Sequence, residues 1–117
     1  IEMLEGNYNA ALAQIELETR DGYEATGRAL LYHARGDSEQ ADRALQELLV
    51  LGVRWTYQIA AVYAFRNEAD EAFLWLDRAI DRRDTSLALL RGDPLMDNIR
   101  DDPRLNAVYA RLGIEPQ

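Results

Sequence analysis

The residues of this chain that could do acid–base chemistry begin with a single histidine, His33. Histidine titrates close to neutral pH, so it is the first candidate for a general base or a metal ligand. The chain has no cysteine, no second histidine and no carboxylate that the sequence identifies as a partner of His33. We therefore expect a partly exposed histidine of a groove or of the surface and not a catalytic or metal-binding one.

A group of acids near the C-terminus could suggest a site for a hard cation. It consists of Asp93, Asp97, Asp101 and Asp102, but the alternating oxygen ligands and central glycine of a calcium loop are absent. Asp93 and Asp102 each precede a proline, which is tolerated at the first position of a helix. The pattern therefore predicts helix capping and no metal site.

Other catalytic patterns are missing as well. There is no Gly-x-Ser-x-Gly turn and no glycine-rich phosphate loop followed by lysine, and all 13 basic residues are arginine. We predict that Asp77, Asp81 and Asp84 form a solvated face paired with Arg78 and Arg82. The sequence thus predicts no catalytic activity and no cofactor. A hydrolase that uses His33 is the weakest alternative, and activity that survives His33→Ala would remove it.

The charge of the chain limits its partners. The formal net charge is −8 over 117 residues, without a basic stripe. Such a chain is a poor binder of nucleic acid or of an anionic membrane, and a partner selected by charge would be basic. No apolar run approaches the roughly 20 residues of a membrane span. We expect a cytoplasmic protein whose partner is another protein or a peptide.

Apolar residues recur at helical spacing along the whole chain, which indicates an all-α fold. Asp21-Gly22 is predicted to end a first helix over about residues 8–20, with Gly22 in the left-handed position that follows a helix. A second helix is expected at about 23–35. Asp37 and Asn67 are predicted N-caps, since their side-chain oxygens can accept a free amide of the first turn. Further helices are expected up to Gly52, at about 54–66 and 67–83, and in the tail.

The helices form a repeat. Breaks in the pattern recur at intervals of 30 and 31 residues, and each is followed after five residues by an alanine and four residues later by a large apolar side chain. An aromatic residue precedes two of the breaks by four residues. The breaks are Gly6, Gly36 and Asn67; the alanines are Ala11, Ala41 and Ala72; the large residues are Ile15, Leu45 and Leu76; the aromatics are Tyr32 and Tyr63. This pattern predicts a repeated two-helix unit.

At these positions the chain resembles the tetratricopeptide repeat family. The matching residues are Tyr63, Ala72, Ala79, Ala60 and Asp84; the departures are Asn67 for the turn glycine, Thr56 for an early tryptophan and Leu48 at a late small position. The family repeat has about 34 residues, so these units are shortened and degenerate. The resemblance implies a right-handed helical-hairpin solenoid of seven to eight helices, with a truncated first unit. Residues 1–84 would be repeats and 85–117 capping helices of the same compact unit.

The resemblance also implies a function, which is a non-catalytic protein–protein interaction module with a concave groove for a peptide or partner domain. In this family the first helices of each hairpin line the groove. The matching positions are Tyr23, Thr26, Leu30, His33, Arg54, Tyr57, Ala61 and Phe65. The family's capture of a peptide carboxylate by lysine and asparagine is not expected, because those places hold other residues. The tail is similar to that of bacterial multidomain regulators linked to nucleotidyl-cyclase or winged-helix domains, which suggests a signalling role.

Self-association is the alternative function. A truncated first unit would leave an apolar edge around Leu4, Tyr8, Leu12 and Ile15, and exposed apolar edges tend to find a partner. The chain would then be a homodimer. A monomer at high concentration in light scattering would exclude this alternative.

Overall fold

The part of the chain that the structure describes, residues 2–114, is helical and contains no strand. The structure is a computed structural model, and the side chains of residues 2–9, 11, 12, 14–16 and 53 lie outside its description. The α-helices are α1 (Glu2–Ala34), α2 (Ser38–Leu51), α3 (Thr56–Phe65), α4 (Ala69–Asp81) and α5 (Arg104–Leu112), and 3₁₀ segments occupy Gly52–Arg54, Thr85–Gly92 and Pro94–Ile99. The prediction of an all-α chain is confirmed for this range. None of the described helices is both long and apolar enough to cross a membrane.

Helix α1 is continuous over 33 residues, so the predicted helix end at Asp21-Gly22 and the predicted break at Gly6 are wrong. Gly22 has an ordinary helical backbone and is buried. A Cβ atom at this position would lie 2.0 Å from Cε2 of Trp55. Gly22 therefore serves the close approach of the Trp55 indole and not a turn. Because the first predicted break lies inside α1, the truncated first hairpin does not exist as a separate unit.

Two antiparallel hairpins follow, formed by α1 with α2 and by α3 with α4. Their turns contain Gly36 at φ 78° and Asn67 at φ 65°, both in the left-handed region. In each turn an amide donates to the carbonyl five residues earlier, from Asp37 to Tyr32 and from Glu68 to Tyr63, both at 2.9 Å. This is the Schellman arrangement that closes helices.

The structure confirms one of the two predicted N-caps. The Asp37 carboxylate accepts a hydrogen bond from the Gln40 amide at 3.2 Å. Asn67 is instead the residue that ends α3, and Glu68 takes the N-cap position of α4. Asparagine replaces glycine there because it tolerates the left-handed conformation better than most residues.

Helix α3 is the centre of the molecule. It is mostly apolar, and seven of its ten residues are buried, as expected for a helix that packs against neighbours on most of its surface. Ile59 and Val62 pack in the core shared with α1 and α2, whereas Ala60 and Ala64 pack in the core shared with α4 and the C-terminal segments. The alanines and leucines at the repeat positions of α2 and α4 are buried against these cores.

The C-terminal residues fold back on the second hairpin. The segment Pro94–Ile99 packs on α3, and α5 packs on α4. The predicted capping acids are confirmed, since Asp93 accepts from the Leu95 amide and Asp102 from the Arg104 amide, both at 3.0 Å.

The predicted pairing of acids with Arg78 and Arg82 is wrong. The carboxylates of Asp77 and Asp81 lie 2.8 and 3.1 Å from the Arg111 guanidinium, which α5 supplies. Helix α5 covers this face of α4, and the sequence pattern of α4 alone could not show which arginine would reach it.

Candidate functional site

The first helices of the two hairpins, α1 and α3, lie side by side and run in the same direction. Tyr23 of α1 contacts Trp55 edge-on, with ring centroids 5.0 Å apart, and His33 contacts Phe65 in the same way at 5.6 Å. The two pairs are ten residues apart on each helix, or about 15 Å along the axis. We name the surface along these two ring pairs, which also includes Thr26, Leu30 and Arg54, the α1–α3 face.

The remaining predicted residues of α1 have defined contacts. Leu30 is half-buried and packs on the core of α1, α2 and α3. The Thr26 hydroxyl donates to the Gly22 carbonyl at 2.7 Å, so it bonds its own helix. Next to α3, Arg54 is exposed and its guanidinium lies 3.7 Å from a Glu18 carboxylate oxygen. Tyr23 is 63% exposed.

Two predicted groove residues, Tyr57 and Ala61, are buried and present no surface to a partner. Each is 2% exposed. The segment Pro94–Ile99 covers this part of α3, and the Asn98 amide fixes it there by donating to the carbonyls of Ala64 and Phe65 at 3.3 and 3.1 Å. The chain itself therefore fills the place where the predicted groove would continue.

A polar network joins the start of α3 to the C-terminal region. The Tyr57 hydroxyl donates to Asp93 at 2.6 Å. Burial, together with this hydrogen bond to a carboxylate, raises the pKa of Tyr57 far above its ordinary value, so the phenol stays neutral. Arg100 donates to the Asp93 carbonyl at 2.7 Å and to Asp97 at 2.9 Å. These bonds hold the C-terminal segment in place.

The sequence predicted that Asp84 belongs to a solvated face, and this prediction is wrong. Asp84 is part of the polar network. One carboxylate oxygen accepts from the Thr56 hydroxyl at 2.8 Å and from the Tyr57 amide at 3.2 Å. The other accepts from the Ser86 amide at 2.9 Å. A single carboxylate thus caps both α3 and the 3₁₀ segment Thr85–Gly92. The hydrogen-bonding positions of Asp84 are used within the fold, which makes it a structural residue.

A second surface lies between the second helices of the hairpins, α2 and α4. Leu49 and Val50 of α2 and Trp75 of α4 line an open groove of about 440 Å³. Val50 is 87% exposed. The Arg78 guanidinium lies over the Trp75 ring, 4.4 Å from its centroid. We name this surface the α2–α4 groove. The sequence did not predict it, and the one available signal was that Val50 is an apolar residue off the buried positions of α2.

Arginines surround one end of the α2–α4 groove. Arg82 lines the groove and also a neighbouring cavity of about 270 Å³, together with Arg54 and Arg83. Two carboxylates also line these cavities, but Asp81 pairs with Arg111 and Asp84 is hydrogen-bonded within the fold, so the charge left without an ionic partner here is positive.

The comparisons with protein-family models, curated proteins and solved structures find no match.

The described residues offer little to a metal ion or an acid–base reaction. Among them there is no group of three or more histidine, cysteine, aspartate or glutamate side chains that could hold a metal. His33 is half-buried, and its ring rests edge-on against Phe65.

Proposed function

We propose that this chain is a non-catalytic protein–protein interaction module that binds a peptide or a partner domain on the α1–α3 face. The observation that supports it is the pair of parallel first helices with an aromatic contact at each end. Tyr23 is exposed beside Trp55, and aromatic side chains with one polar end are enriched where proteins meet. Leu30 and the Phe65 ring of the second contact are partly buried and add apolar surface to this face.

The charges near the α1–α3 face favour a basic partner. Asp21 and Glu24 lie close to Tyr23 in the sequence and are exposed. The one exposed arginine of the predicted set, Arg54, already lies 3.7 Å from a Glu18 carboxylate oxygen. Complementary charge on a partner would raise its association rate and favour it over acidic competitors.

The finer architecture belongs to the same proposal. Parallel first helices and equivalent turns are consistent with a right-handed, tetratricopeptide-like stacking of hairpins. By resemblance, such a module would serve as a scaffold in a larger bacterial signalling or regulatory protein. Reading the coding sequence on either side of this chain would test that setting.

A peptide titration tests the α1–α3 face. We expect basic peptides to bind, and Tyr23→Ala and His33→Ala to weaken binding by about tenfold each, as at interface positions that contribute most. Leu89→Ala, which removes an exposed leucine of the C-terminal region, is the matched control and should have no effect. Tyr57→Ala is not a suitable probe because that side chain is buried. Binding that Tyr23→Ala, His33→Ala and Arg54→Ala leave unchanged would exclude this face.

Self-association is the second candidate, and the continuity of α1 favours it. Helix α1 has 33 residues and its hairpin partner α2 has 14, so α2 can cover only part of α1. The residues predicted to associate, Leu4, Tyr8, Leu12 and Ile15, have side chains outside the described part of the structure. Light scattering over a range of concentrations tests this candidate, and a monomer throughout would exclude it.

A further inference from the structure

Three arginines at the end of α4, Arg78, Arg82 and Arg83, have no carboxylate partner among the described residues. Seven of the 13 arginines have a carboxylate oxygen within 4 Å among the described residues, and these three are the unpaired ones that lie close together in sequence. The paired arginines are Arg28, Arg43, Arg54, Arg66, Arg100, Arg104 and Arg111. The chain has 21 acidic residues, so a cluster of unpaired arginines is not explained by a shortage of carboxylates.

Arg83 also occupies a position that usually holds glycine. The helix-closing turns place Gly36, Asn67, Arg83 and Gly113 in the left-handed region, and the amide after each donates to the carbonyl five residues before it. A long side chain at φ 56° is strained, whereas glycine is not. Strained residues concentrate at functional sites. The position of Arg83 therefore fits a role outside the fold itself.

Apolar surface adjoins these arginines. Leu49, Val50 and Trp75 give the α2–α4 groove its apolar lining, and Arg82 lines both this groove and the cavity that Arg83 lines. The groove, at about 440 Å³, has room for a large aliphatic or aromatic side chain. An apolar recess with guanidinium groups at one end is complementary to a segment that carries both an apolar side chain and carboxylates.

We propose that the α2–α4 groove docks an acidic segment of another protein that carries one large apolar side chain. The apolar side chain enters between Val50 and Trp75, and flanking carboxylates pair with Arg82 and Arg83, whose planar guanidinium groups suit two-point pairing. The net charge of −8 repels an acidic segment from most of the surface, so this cluster is where it can bind. This surface is formed by the second helices and is distinct from the α1–α3 face.

Fluorescence anisotropy with labelled peptides tests the preference for charge and for an apolar residue together. The probe has a central phenylalanine flanked by two glutamates on each side. One comparison peptide replaces the glutamates with glutamine, and another replaces the phenylalanine with alanine. We expect each replacement to weaken binding by about tenfold or more, and added salt to weaken only the binding of the acidic peptides.

Protein variants then locate the site. Arg82→Gln and Arg83→Gly together should weaken binding of the probe about tenfold or more, and Val50→Glu should do the same by placing a carboxylate in the apolar lining of the groove. Arg83→Gly is expected to relieve the left-handed strain, and an unchanged circular dichroism spectrum with a urea midpoint no lower than that of the unsubstituted protein would show that a loss of binding is not caused by unfolding. Arg91→Gln is the matched control, because Arg91 is exposed and also lacks a carboxylate partner among the described residues. It should leave binding unchanged.

The outcomes separate this proposal from the competing explanations. A loss in Arg91→Gln as large as that in the combined Arg82→Gln and Arg83→Gly variant would show general charge attraction and overturn the proposal. Displacement of the probe by inorganic phosphate, with equal binding of the alanine peptide, would show an anion site and overturn the docked segment. If Tyr23→Ala abolishes binding of the probe and the arginine variants do not, this proposal fails and the α1–α3 face remains. If the arginine variants lose binding of the probe and Tyr23→Ala does not, this proposal stands, and the α1–α3 face is tested separately with basic peptides.

Discussion

Two glycines of α1, Gly22 and Gly27, lie in opposite surroundings. Gly22 lies under the Trp55 indole, whereas a Cβ atom at Gly27 would meet nothing within 4 Å. Both sit in the interior of the helix, where glycine is unfavourable relative to alanine because of its larger loss of backbone entropy. The difference between the two positions therefore isolates the packing of Trp55.

We predict opposite shifts for the two alanine substitutions. Gly22→Ala should lower the free energy of unfolding by about 1–3 kcal/mol, because the new methyl group displaces Trp55. Gly27→Ala should raise it by about 0.5–1 kcal/mol through helix propensity. Urea unfolding followed by circular dichroism measures both. A stabilising Gly22→Ala would contradict the described contact between α1 and Trp55.

The buried phenol of Tyr57 makes stability depend on alkaline pH. Its pKa is raised in the folded protein by burial and by the adjacent Asp93 carboxylate, whereas in the unfolded chain it returns to about 10. A raised pKa contributes stability that is fully present below the unfolded value and is lost as pH rises above it. The folded state should therefore become less stable above about pH 10 because the unfolded chain releases this proton.

We predict that Tyr57→Phe loses about 1.5–3 kcal/mol of unfolding free energy at pH 7, since the hydrogen bond to Asp93 is gone. The difference from the unsubstituted protein should shrink as the pH rises past 10, because phenylalanine has no proton to release. Urea unfolding at pH 7, 9 and 10.5 checks both parts. Tyr23→Phe, on the exposed ring, serves as a control at pH 7 and should change little. A difference that stays constant across this range would mean that Tyr57 ionises equally in both states.

At the scale of the elements, the turn at the end of α4 is closed in the same way as the other three but with a less suitable residue. Arg83 at φ 56° takes the position that glycine holds at Gly36 and Gly113. An L-residue other than asparagine or aspartate in this conformation costs roughly 1–2 kcal/mol. The chain keeps this strain at a turn whose hydrogen bonds are otherwise complete.

We predict that Arg83→Gly raises the free energy of unfolding by about 1 kcal/mol, because glycine adopts the left-handed conformation without a steric penalty. Asn67→Gly is the matched substitution at the equivalent turn and should give a smaller gain, since asparagine already tolerates this backbone. Thermal and urea unfolding would compare the two. A destabilised Arg83→Gly protein would mean that the side chain makes contacts that outweigh the strain.

At the scale of the whole molecule, the sequence predicts the local pattern well and the long-range contacts poorly. The repeat positions Ala41, Leu45, Ala72 and Leu76 are buried as the spacing predicts, since helical periodicity is a local property. The continuity of α1 could not be predicted, because the reason for Gly22 is an indole 33 positions further along the chain.

The candidate surfaces show the same contrast between local pattern, which the sequence predicts, and long-range contacts, which it does not. Six of the eight predicted groove residues lie at or near the surface, but Tyr57 and Ala61 are covered by a segment that follows the repeats. No property of α3 alone shows which later segment will pack on it. The α2–α4 groove likewise depends on two helices whose exposed residues are far apart in sequence, so it could be recognised only once they were placed side by side.

Helix α3 joins the two halves of the core, so we predict that the described body unfolds as one cooperative unit. Tyr63 and Trp75 pack against both hydrophobic clusters. Ile99 is buried in the cluster of α3, α4 and the C-terminal region, and Ile99→Ala should lower the free energy of unfolding by about 2–5 kcal/mol.

In a Trp75→Phe background, Trp55 is the sole tryptophan and reports on the other cluster. We expect Ile99→Ala to lower the urea midpoint seen by Trp55 fluorescence as much as that seen by circular dichroism. If the Trp55 midpoint stays in place while the circular dichroism midpoint falls, the two clusters are independent and α3 does not couple them.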